Sequence, residues 1–305
     1  MRIGLTPWNF DDLSAQSLSN QAAFAESVGY ESFWLPENHF NERAIPDPLM
    51  LLAAVAAATK TMRLATTSFL LPLRNPLLAA EQVAVLDQLS NGRVLLGVGR
   101  GYSNKVLKAF SIEPSTKRQQ FEATLELMIS AWSGEAVSVN GDPDNAVVLD
   151  PLPVQKPHPP IWVAAFGPKA LAQVGRLGLP YLASPIETMD DLRANFALHT
   201  KAVEAAGHPP IEIRPVMRTV FVCANATEQR HIRDSLAKIT LPTGAQANSA
   251  VDEWAIIGDA AYVRDKFAEH QEVLAATHIV VTRLRFAGIE EHRLRDSLTH
   301  IAEML

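Results

Sequence analysis

Short apolar runs alternate with helix-like segments along the whole chain, and this alternation constrains the fold more than any other feature. About eight such runs occur, among them YESFWLP, GRVLLGVG and HIVVTRLRF. They are apolar almost throughout and lack the polar–apolar alternation of a strand with one face in water. Strands that are buried on both faces are typical of a parallel sheet covered by helices. The pattern therefore predicts an α/β fold.

The number of strand–helix units favours one architecture over its main alternative. Eight units favour a (β/α)8 TIM barrel with insertions, as a single domain over residues 1–305. The Pro-, Gly- and Asp-rich stretch 134–160 is predicted to be a hairpin-bearing insertion, and 241–258 a loop segment. An open Rossmann sheet would rest on GVGRG alone, which lacks the G-x-G-x-x-G spacing and follows the fourth strand. We interpret Gly97–Gly101 as a strand end where the backbone approaches a neighbour closely.

Composition excludes several classes of function. The chain has 305 residues and a net charge of −6, so a broad basic surface for nucleic acid is not expected. The N-terminal MRIGLTPWNF lacks the apolar core of a secretion signal, and no apolar run has the length of a membrane span. We therefore expect a cytoplasmic protein without a membrane partner.

Functional side chains of a barrel are expected at the carboxyl ends of its strands. The candidates follow the second to fifth strands: Glu37, Asn38, His39, Thr67, Ser68, Arg100, Gly101, Tyr102, Phe166, Gly167 and Lys169. Aromatic and apolar groups around them suit a planar, largely hydrophobic ligand. Arg100, Lys169 and the helix that begins after Gly167 suit a phosphate. No His, Cys or carboxylate pattern has metal-ligand spacing, so no metal is expected.

Three segments resemble the bacterial luciferase-like monooxygenase family. They are GYESFWLPENHF, LPLRNPLLAAEQVAVLDQLSNGRVLLGVGRGYSNKVLKAF and GLPYLASP. The resemblance is most specific between Leu71 and Tyr102. It implies a (β/α)8 barrel that binds reduced FMN or, in another branch, a deazaflavin coenzyme. Arg100 in VGRGY matches the arginine that binds the flavin phosphate in the FMN branch, so FMN is favoured.

The resemblance also implies roles for the turn after the second strand. Asn38 stands where luciferase has its catalytic histidine, and an amide is no base near neutral pH, so light emission is not expected. We expect Asn38 and His39 to face the flavin or the substrate. Glu37 is expected to orient one of them or to form an ion pair with a neighbouring strand.

Further cofactor contacts are implied after the third and fifth strands. Thr67–Ser68 matches the position at which family members often have a non-proline cis peptide bond. Phe166 and Gly167 stand where luciferase has acidic and hydroxyl side chains. The backbone N–H groups of the following helix, together with Lys169, are expected to substitute for them.

The implied function is that of a flavin-dependent oxidoreductase. The specific prediction is a two-component monooxygenase that receives reduced FMN from a separate flavin reductase and uses O2 to oxygenate a small organic substrate. Family members form dimers through the helices near 47–60 and 76–90, and LMLLAAVAAATKTM is apolar nearly all round, so a homodimer is expected. Two alternatives stay open: a deazaflavin-dependent dehydrogenase or reductase, and a non-catalytic flavin-binding protein.

Overall fold

The predicted alternation of strands and helices is present in the structure, a computed structural model that describes residues 1–239, 249–284 and 286–304. Ten strands occur in these ranges: β1 (Arg2–Leu5), β2 (Ser32–Leu35), β3 (Arg63–Thr66), β4 (Phe69–Leu70), β5 (Val94–Gly99), β6 (Ile161–Ala164), β7 (Tyr181–Leu182), β8 (Pro215–Val222), β9 (Ala255–Gly258) and β10 (His278–Val281). Eleven α-helices accompany them there: α1 (Ala15–Ser27), α2 (Pro48–Ala58), α3 (Pro76–Leu89), α4 (Asn104–Ala109), α5 (Lys117–Trp132), α6 (Pro168–Arg176), α7 (Met189–Ala205), α8 (Ala226–Ala237), α9 (Val251–Trp254), α10 (Ala260–Leu274) and α11 (Glu291–Glu303).

Capping chemistry sets the starts of the helices. The Asp-Pro pair ahead of the apolar run LMLLAAVAAATKTM predicts a helix start, because Asp is favoured at the N-cap and Pro at the first helical position. In the structure Asp47 accepts a hydrogen bond from the Met50 backbone N–H at 3.1 Å, and Pro48 is the first residue of α2. Asn75 caps α3 in the same way, again ahead of a proline. Thr188 and Asp191 form a reciprocal capping box at the start of α7.

The contacts divide the chain into two compact units. The first unit comprises Met1–Asp12, Gln21–Phe33 and Ala165–Leu305. The second unit comprises Leu13–Asn20 and Trp34–Ala164. All strand pairs between the named strands in either unit are parallel, which confirms the predicted α/β fold.

In the first unit, β8 is the strand that changes neighbours. Its first half, Pro215–Arg218, aligns with β10, which in turn aligns with β1. On the edge away from β10, Pro215 accepts a backbone hydrogen bond of 3.4 Å from Ala183, the residue after β7. The second half of β8, Thr219–Val222, instead pairs with β9 on that edge. The change of neighbour therefore occurs at about the position of Arg218.

In the second unit, β5 pairs with β3, β4 and β6. A Cβ atom added at Gly97 would overlap the carbonyl oxygen of Thr66, and one at Gly99 would lie 2.8 Å from the Cβ of Ser68. Only glycine permits this approach of the two backbones. The predicted reason for the glycines of this strand is therefore confirmed.

Three segments add detail to the prediction or differ from it. The loop segment expected at 241–258 is regular at its end, where α9 and β9 form because the buried run AIIG pairs with β8. Residues 241–248 of that segment lie outside the described residues. The helix α4 after β5 was not predicted. The insertion 134–160 contains an antiparallel bridge between Val137 and Val147. Within the described ranges, no helix combines the length and the hydropathy that a membrane span requires.

Candidate functional site

The turn after β2 gathers a buried acid, an imidazole and a guanidinium in the second unit. The Glu37 side chain is fully buried, and its Oε1 accepts hydrogen bonds from His39 Nε2 at 2.8 Å and Arg74 Nη2 at 2.6 Å. Its Oε2 accepts from the Leu70 backbone N–H at 2.9 Å. Because a carboxylate only accepts, a neutral His39 ring carries its proton on Nε2 and leaves Nδ1 as an acceptor. Glu37 thus contacts His39, one of the two residues it was expected to orient, and pairs with Arg74 from the turn after β4 rather than with a strand residue.

Asn38 holds the shape of this turn. The side-chain Oδ1 of Asn38 accepts a hydrogen bond from the Ile45 backbone N–H at 3.0 Å, and the backbone N–H of Asn38 donates to the Ile45 carbonyl at 3.0 Å. These two bonds close the loop 38–45, so one acceptor of the amide is already occupied. The contacts of Asn38 in the structure are therefore positional, and they fix the segment that carries His39.

An exposed aromatic pair adjoins His39. The His39 ring meets Phe110 edge-on, with the centroids 4.9 Å apart, and Phe40 stacks on Phe110 at 5.7 Å. Phe40 is 67% exposed and has a φ of 59°, a left-handed conformation that is uncommon for residues other than glycine. Phe110 directly follows α4, the helix that sequence reasoning missed. An apolar surface beside a buried His–Glu pair suits the binding of an apolar group.

Arg100 lies at the end of β5 and is 8% exposed. Its Nη2 donates to the Ala164 carbonyl at 2.9 Å, and its guanidinium carbon lies 5.5 Å from the centroid of the Phe121 ring. Burial lowers the pKa of Arg100 to about 10, and the positive charge of Arg118 contributes to the lowering. The arginine is therefore held at the strand end beside a second cation.

Lys117 completes a group of three cations, which we call the cationic cluster: Arg100, Lys117 and Arg118. Lys117 Nζ donates to the Gly101 carbonyl at 3.0 Å, next to Arg100. Burial lowers the pKa of Lys117, and repulsion from the two arginines lowers it further. Lys117 and Arg118 open α5, where the helix dipole favours anions and the first turn has no acidic residue. Such an arrangement can bind a phosphate.

Sequence reasoning found Arg100 and missed the other two cations. The sequence feature that could have found them is the Lys-Arg pair at the start of α5, a position that normally favours Asp and Glu. Arg74 was missed as well, because it lies 37 positions beyond its partner Glu37.

The remaining predicted cofactor residues of the second unit lie at or near the ends of β3 and β5. The Thr67–Ser68 peptide bond is cis, as predicted. The Thr67 backbone N–H donates to the Leu35 carbonyl at 2.8 Å. Gly101 has a φ of 72°, and Tyr102 beside it is 93% exposed. Tyr102 is therefore accessible to a ligand.

Three predicted cofactor residues belong to the first unit. Phe166 is 56% exposed. Gly167 precedes α6 with a φ of 81°, which explains the glycine there. Lys169 is exposed in the first turn of that helix. The N-terminus of α6 is thus flanked by an accessible aromatic ring and a cation.

The first unit also buries a second acid, which sequence reasoning missed. Glu187 follows β7 and accepts hydrogen bonds from the Tyr181 hydroxyl, the Asn195 side-chain amide and the Ser184 backbone N–H. Burial raises the pKa of Glu187 to about 7, and the hydrogen bonds and the charge of Arg218 offset part of that rise. The described residues include no group of three or more His, Cys, Asp or Glu side chains that could hold a metal ion.

Comparison with known proteins decides the family. The family model for luciferase-like monooxygenases matches residues 5–277. This chain belongs to the luciferase-like monooxygenase family. The resemblance predicted from the sequence is therefore confirmed, and members of this family are enzymes.

Curated relatives of this luciferase-like protein match part of their own length. The uncharacterized protein y4vJ of Sinorhizobium fredii is 29% identical over 244 residues, which are 76% of this chain and 62% of that protein. The alkanal monooxygenase alpha chain of Photorhabdus laumondii is 26% identical over 187 residues, which are 60% of this chain and 52% of that protein. The match thus spans about half to three-fifths of these relatives.

Solved structures share the fold of this luciferase-like chain along its whole length. Monooxygenase RslO1 from Streptomyces bottropensis has a TM-score of 0.81 at 24% identity, with 100% of this chain and 98% of that chain covered. The oxygenating constituent of 3,6-diketocamphane monooxygenase from Pseudomonas putida, in complex with FMN, has 0.80 at 20% identity, covering 100% and 97%. A coenzyme F420-dependent tetrahydromethanopterin reductase from Methanopyrus kandleri has 0.76 at 15%, also covering 100% and 97%.

Proposed function

We propose that this protein is a flavin-dependent monooxygenase that uses reduced FMN and O2 to oxygenate a small organic substrate. The observation that carries the proposal is the cationic cluster. FMN ends in a phosphate dianion, which three cations at a helix N-terminus complement. Coenzyme F420 is a deazaflavin whose phosphate is esterified within a longer tail, so it offers less charge to such a cluster. The FMN complex of a structural neighbour supports the same choice.

Other residues are proposed as cofactor contacts within each unit. In the second unit these are Thr67, Ser68, Gly101 and Tyr102. They lie at or just after the ends of β3 and β5, where backbone groups and an accessible ring are available. In the first unit they are the residues around the start of α6, namely Phe166, Gly167 and Lys169.

The chemistry is proposed to be shared between cofactor and protein. When bound, reduced FMN supplies the two electrons with which O2 is activated. His39 would hold or accept a proton at Nδ1, because its Nε2–H is engaged by Glu37 Oε1. Arg74 and Asn38 would act as positioning residues for this pair. The Phe40–Phe110 pair would offer the substrate an apolar surface.

The binding experiment compares four ligands under anaerobic conditions: reduced FMN, oxidised FMN, riboflavin and a deazaflavin coenzyme. Lys117→Met and Arg100→Ala are expected to weaken FMN binding about tenfold or more, since each removes a charged hydrogen-bond donor. Riboflavin has no phosphate, so its affinity should hardly change. Lys108→Met, an exposed lysine of α4, is the matched control.

These affinities, together with the rate at which air reoxidises reduced FMN in a separate aerobic measurement, separate the candidate functions. Tight binding of the deazaflavin without FMN binding would mean a hydride-transfer dehydrogenase or reductase. Binding of FMN without any change in the rate at which air reoxidises reduced FMN would mean a non-catalytic flavin protein. Equal losses for FMN and riboflavin in both variants would refute the phosphate role of the cationic cluster.

The architecture and assembly are part of the proposal. We infer a single closed (β/α)8 barrel domain, supported by the eight strand–helix units and by the hydrogen bond between Ala183 and Pro215. We also infer a homodimer through α2 and α3, whose Met50, Leu78 and Leu89 are 72%, 53% and 64% exposed. Sedimentation of Leu78→Glu should show a monomer where the wild type is dimeric. A separate flavin reductase is proposed as the source of reduced FMN.

A further inference from the structure

A cavity of about 320 Å³ lies in the first unit, beside the middle of β8. At this point the neighbour on one edge of β8 changes from the residue after β7 to β9. The walls of the cavity come from the start of α7, the middle of β8, the junction of α9 with β9, and α10. None of the described residues that line it belongs to the cationic cluster or to the turn after β2. The volume is at the lower end of the range for small-molecule pockets.

Arg218 lines this cavity with a guanidinium that is only partly satisfied. The side chain is 1% exposed. Its Nε donates to His270 Nε2 at 3.1 Å, and its Nη1 donates to the Met217 carbonyl at 3.2 Å. Among the described residues, Nη2 has no hydrogen-bond partner. A buried cation with an unused donor favours an anionic acceptor beside it.

The groups around Arg218 leave much of its charge uncompensated. His270 Nδ1 donates to the Lys266 carbonyl at 2.7 Å, so the ring accepts from Arg218 at Nε2 and is neutral. Burial and the charge of Arg218 lower the pKa of His270 to about 4. Glu187 acts on Arg218 through space, and burial raises the pKa of that carboxyl to about 7. Asp191, which is engaged in the capping box of α7, also acts on Arg218 through space. Near neutral pH, the neighbours of Arg218 are therefore a neutral imidazole, a partly protonated acid and this capping-box acid.

Trp254 lines the same cavity with a second unused donor. It is 2% exposed, and its Nε1 has no partner among the residues that the structure describes. Four acids line the cavity, and each has a partner of its own. Asp252 pairs with Arg233 at 2.8 Å, Glu269 with Lys266 at 2.7 Å and Asp190 with Arg193 at 3.9 Å, and Glu253 accepts from the Ala250 backbone N–H at 2.9 Å. They add negative charge to the rim, which opposes the entry of a dianion.

We propose that this cavity binds a small organic monocarboxylate, whose oxygen atoms accept hydrogen bonds from Arg218 Nη2 and Trp254 Nε1. One buried positive charge matches one negative charge, and two donors match the two oxygens of a carboxylate. The apolar part of the ligand would lie against Met189 and Ile256, which also line the cavity. The site is independent of flavin binding.

The test is isothermal titration of the full-length protein with acetate, butyrate and benzoate. Benzamide serves as the neutral match of benzoate, and inorganic phosphate as a competing anion. We expect saturable binding of benzoate, weak binding of benzamide, and no competition by phosphate. Trp254→Phe removes one N–H and should weaken benzoate about tenfold. Arg218→Met should abolish binding, with its fold checked by circular dichroism.

A control variant and the contrary outcomes complete the design. Arg193→Met changes another cavity-lining cation, which is 62% exposed, and should alter the benzoate affinity by less than about twofold. The proposal is wrong if none of the three carboxylates binds, if benzamide binds as well as benzoate, or if phosphate binds better. It is also wrong if Trp254→Phe leaves the affinity unchanged, a result that stands even if Arg218→Met fails to fold. FMN affinity should be unaffected in every variant.

Discussion

Each unit buries one glutamate after a strand, and the two glutamates are held by different kinds of donor. Glu37 and Glu187 both accept from one backbone N–H and from two side chains. The side chains at Glu37 are a guanidinium and an imidazole. Those at Glu187 are a phenol and a carboxamide, while the guanidinium of Arg218 acts on it only through space. Equal numbers of hydrogen bonds therefore give unequal compensation of charge.

The difference teaches that hydrogen bonds from neutral donors do not replace contact with a cation. Three such bonds reach Glu187, yet burial still raises its pKa to about 7. At Glu37, the Arg74 guanidinium lies 2.6 Å away and supplies a full opposite charge. We expect the stability contributed by Glu187 to respond mainly to pH, and that contributed by Glu37 mainly to loss of its partner Arg74.

The largest effect is expected from breaking the contact at Glu37. Arg74→Met leaves a buried carboxylate without its guanidinium and should lower the free energy of unfolding by about 3–5 kcal/mol. Urea denaturation measures the change. Adding Glu37→Gln should recover part of the loss, because the buried charge is then removed. Arg2→Met, which breaks the exposed pair with Glu31, is the control and should cost less than about 1 kcal/mol. Equal losses in both variants would contradict the comparison.

The next effect concerns pH and Glu187. Its pKa rises from 4.5 to about 7 on folding, so the folded state binds more protons than the unfolded state between these values. The free energy of unfolding should therefore fall as pH rises through this window, on the order of 3 kcal/mol in total. Glu187→Gln does not titrate and should lack this fall. Chemical unfolding at a series of pH values compares the two proteins, and parallel curves would refute the shift.

The smallest effect isolates one neutral donor. Tyr181→Phe removes the phenol that donates to Glu187 and should cost about 1–2 kcal/mol above pH 7, where the acid is ionised. Tyr30→Phe is matched to it, because the Tyr30 hydroxyl donates to the neutral Leu298 carbonyl at 3.1 Å. We expect a smaller loss there, of about 1 kcal/mol or less. If Tyr30→Phe proves the costlier change, the charge of Glu187 adds nothing to the Tyr181 bond.

Sequence reasoning succeeded where the information is local. The cap at Asp47, the close approach at Gly97 and the cis bond at Thr67–Ser68 each depend on a few neighbouring residues or on a short matched motif. The turn of Glu37 and His39 was singled out from its sequence in the same way, and its functional role stays a prediction. The same short sequence pattern gives the same local structure in different proteins, so one sequence is enough to predict these features.

The missed features depend on distant segments meeting. Arg74 reaches Glu37 from the turn after β4, and Lys117 reaches Gly101 from the start of α5. β9 is a strand only because the second half of β8 offers it an edge. Loop paths and register decide such meetings, and neither can be read from hydrophobic periodicity.

The tight contact beneath β5 also limits how this protein can be diversified in the laboratory. Any side chain at Gly97 would have to displace the Thr66 backbone, and one at Gly99 would crowd Ser68. In a mutant library made to find new substrates, variants with a substitution at either of these two positions would therefore misfold. Tyr102 and Phe166 are 93% and 56% exposed. Because little packs against them, randomising these two positions would change the surface and keep the fold.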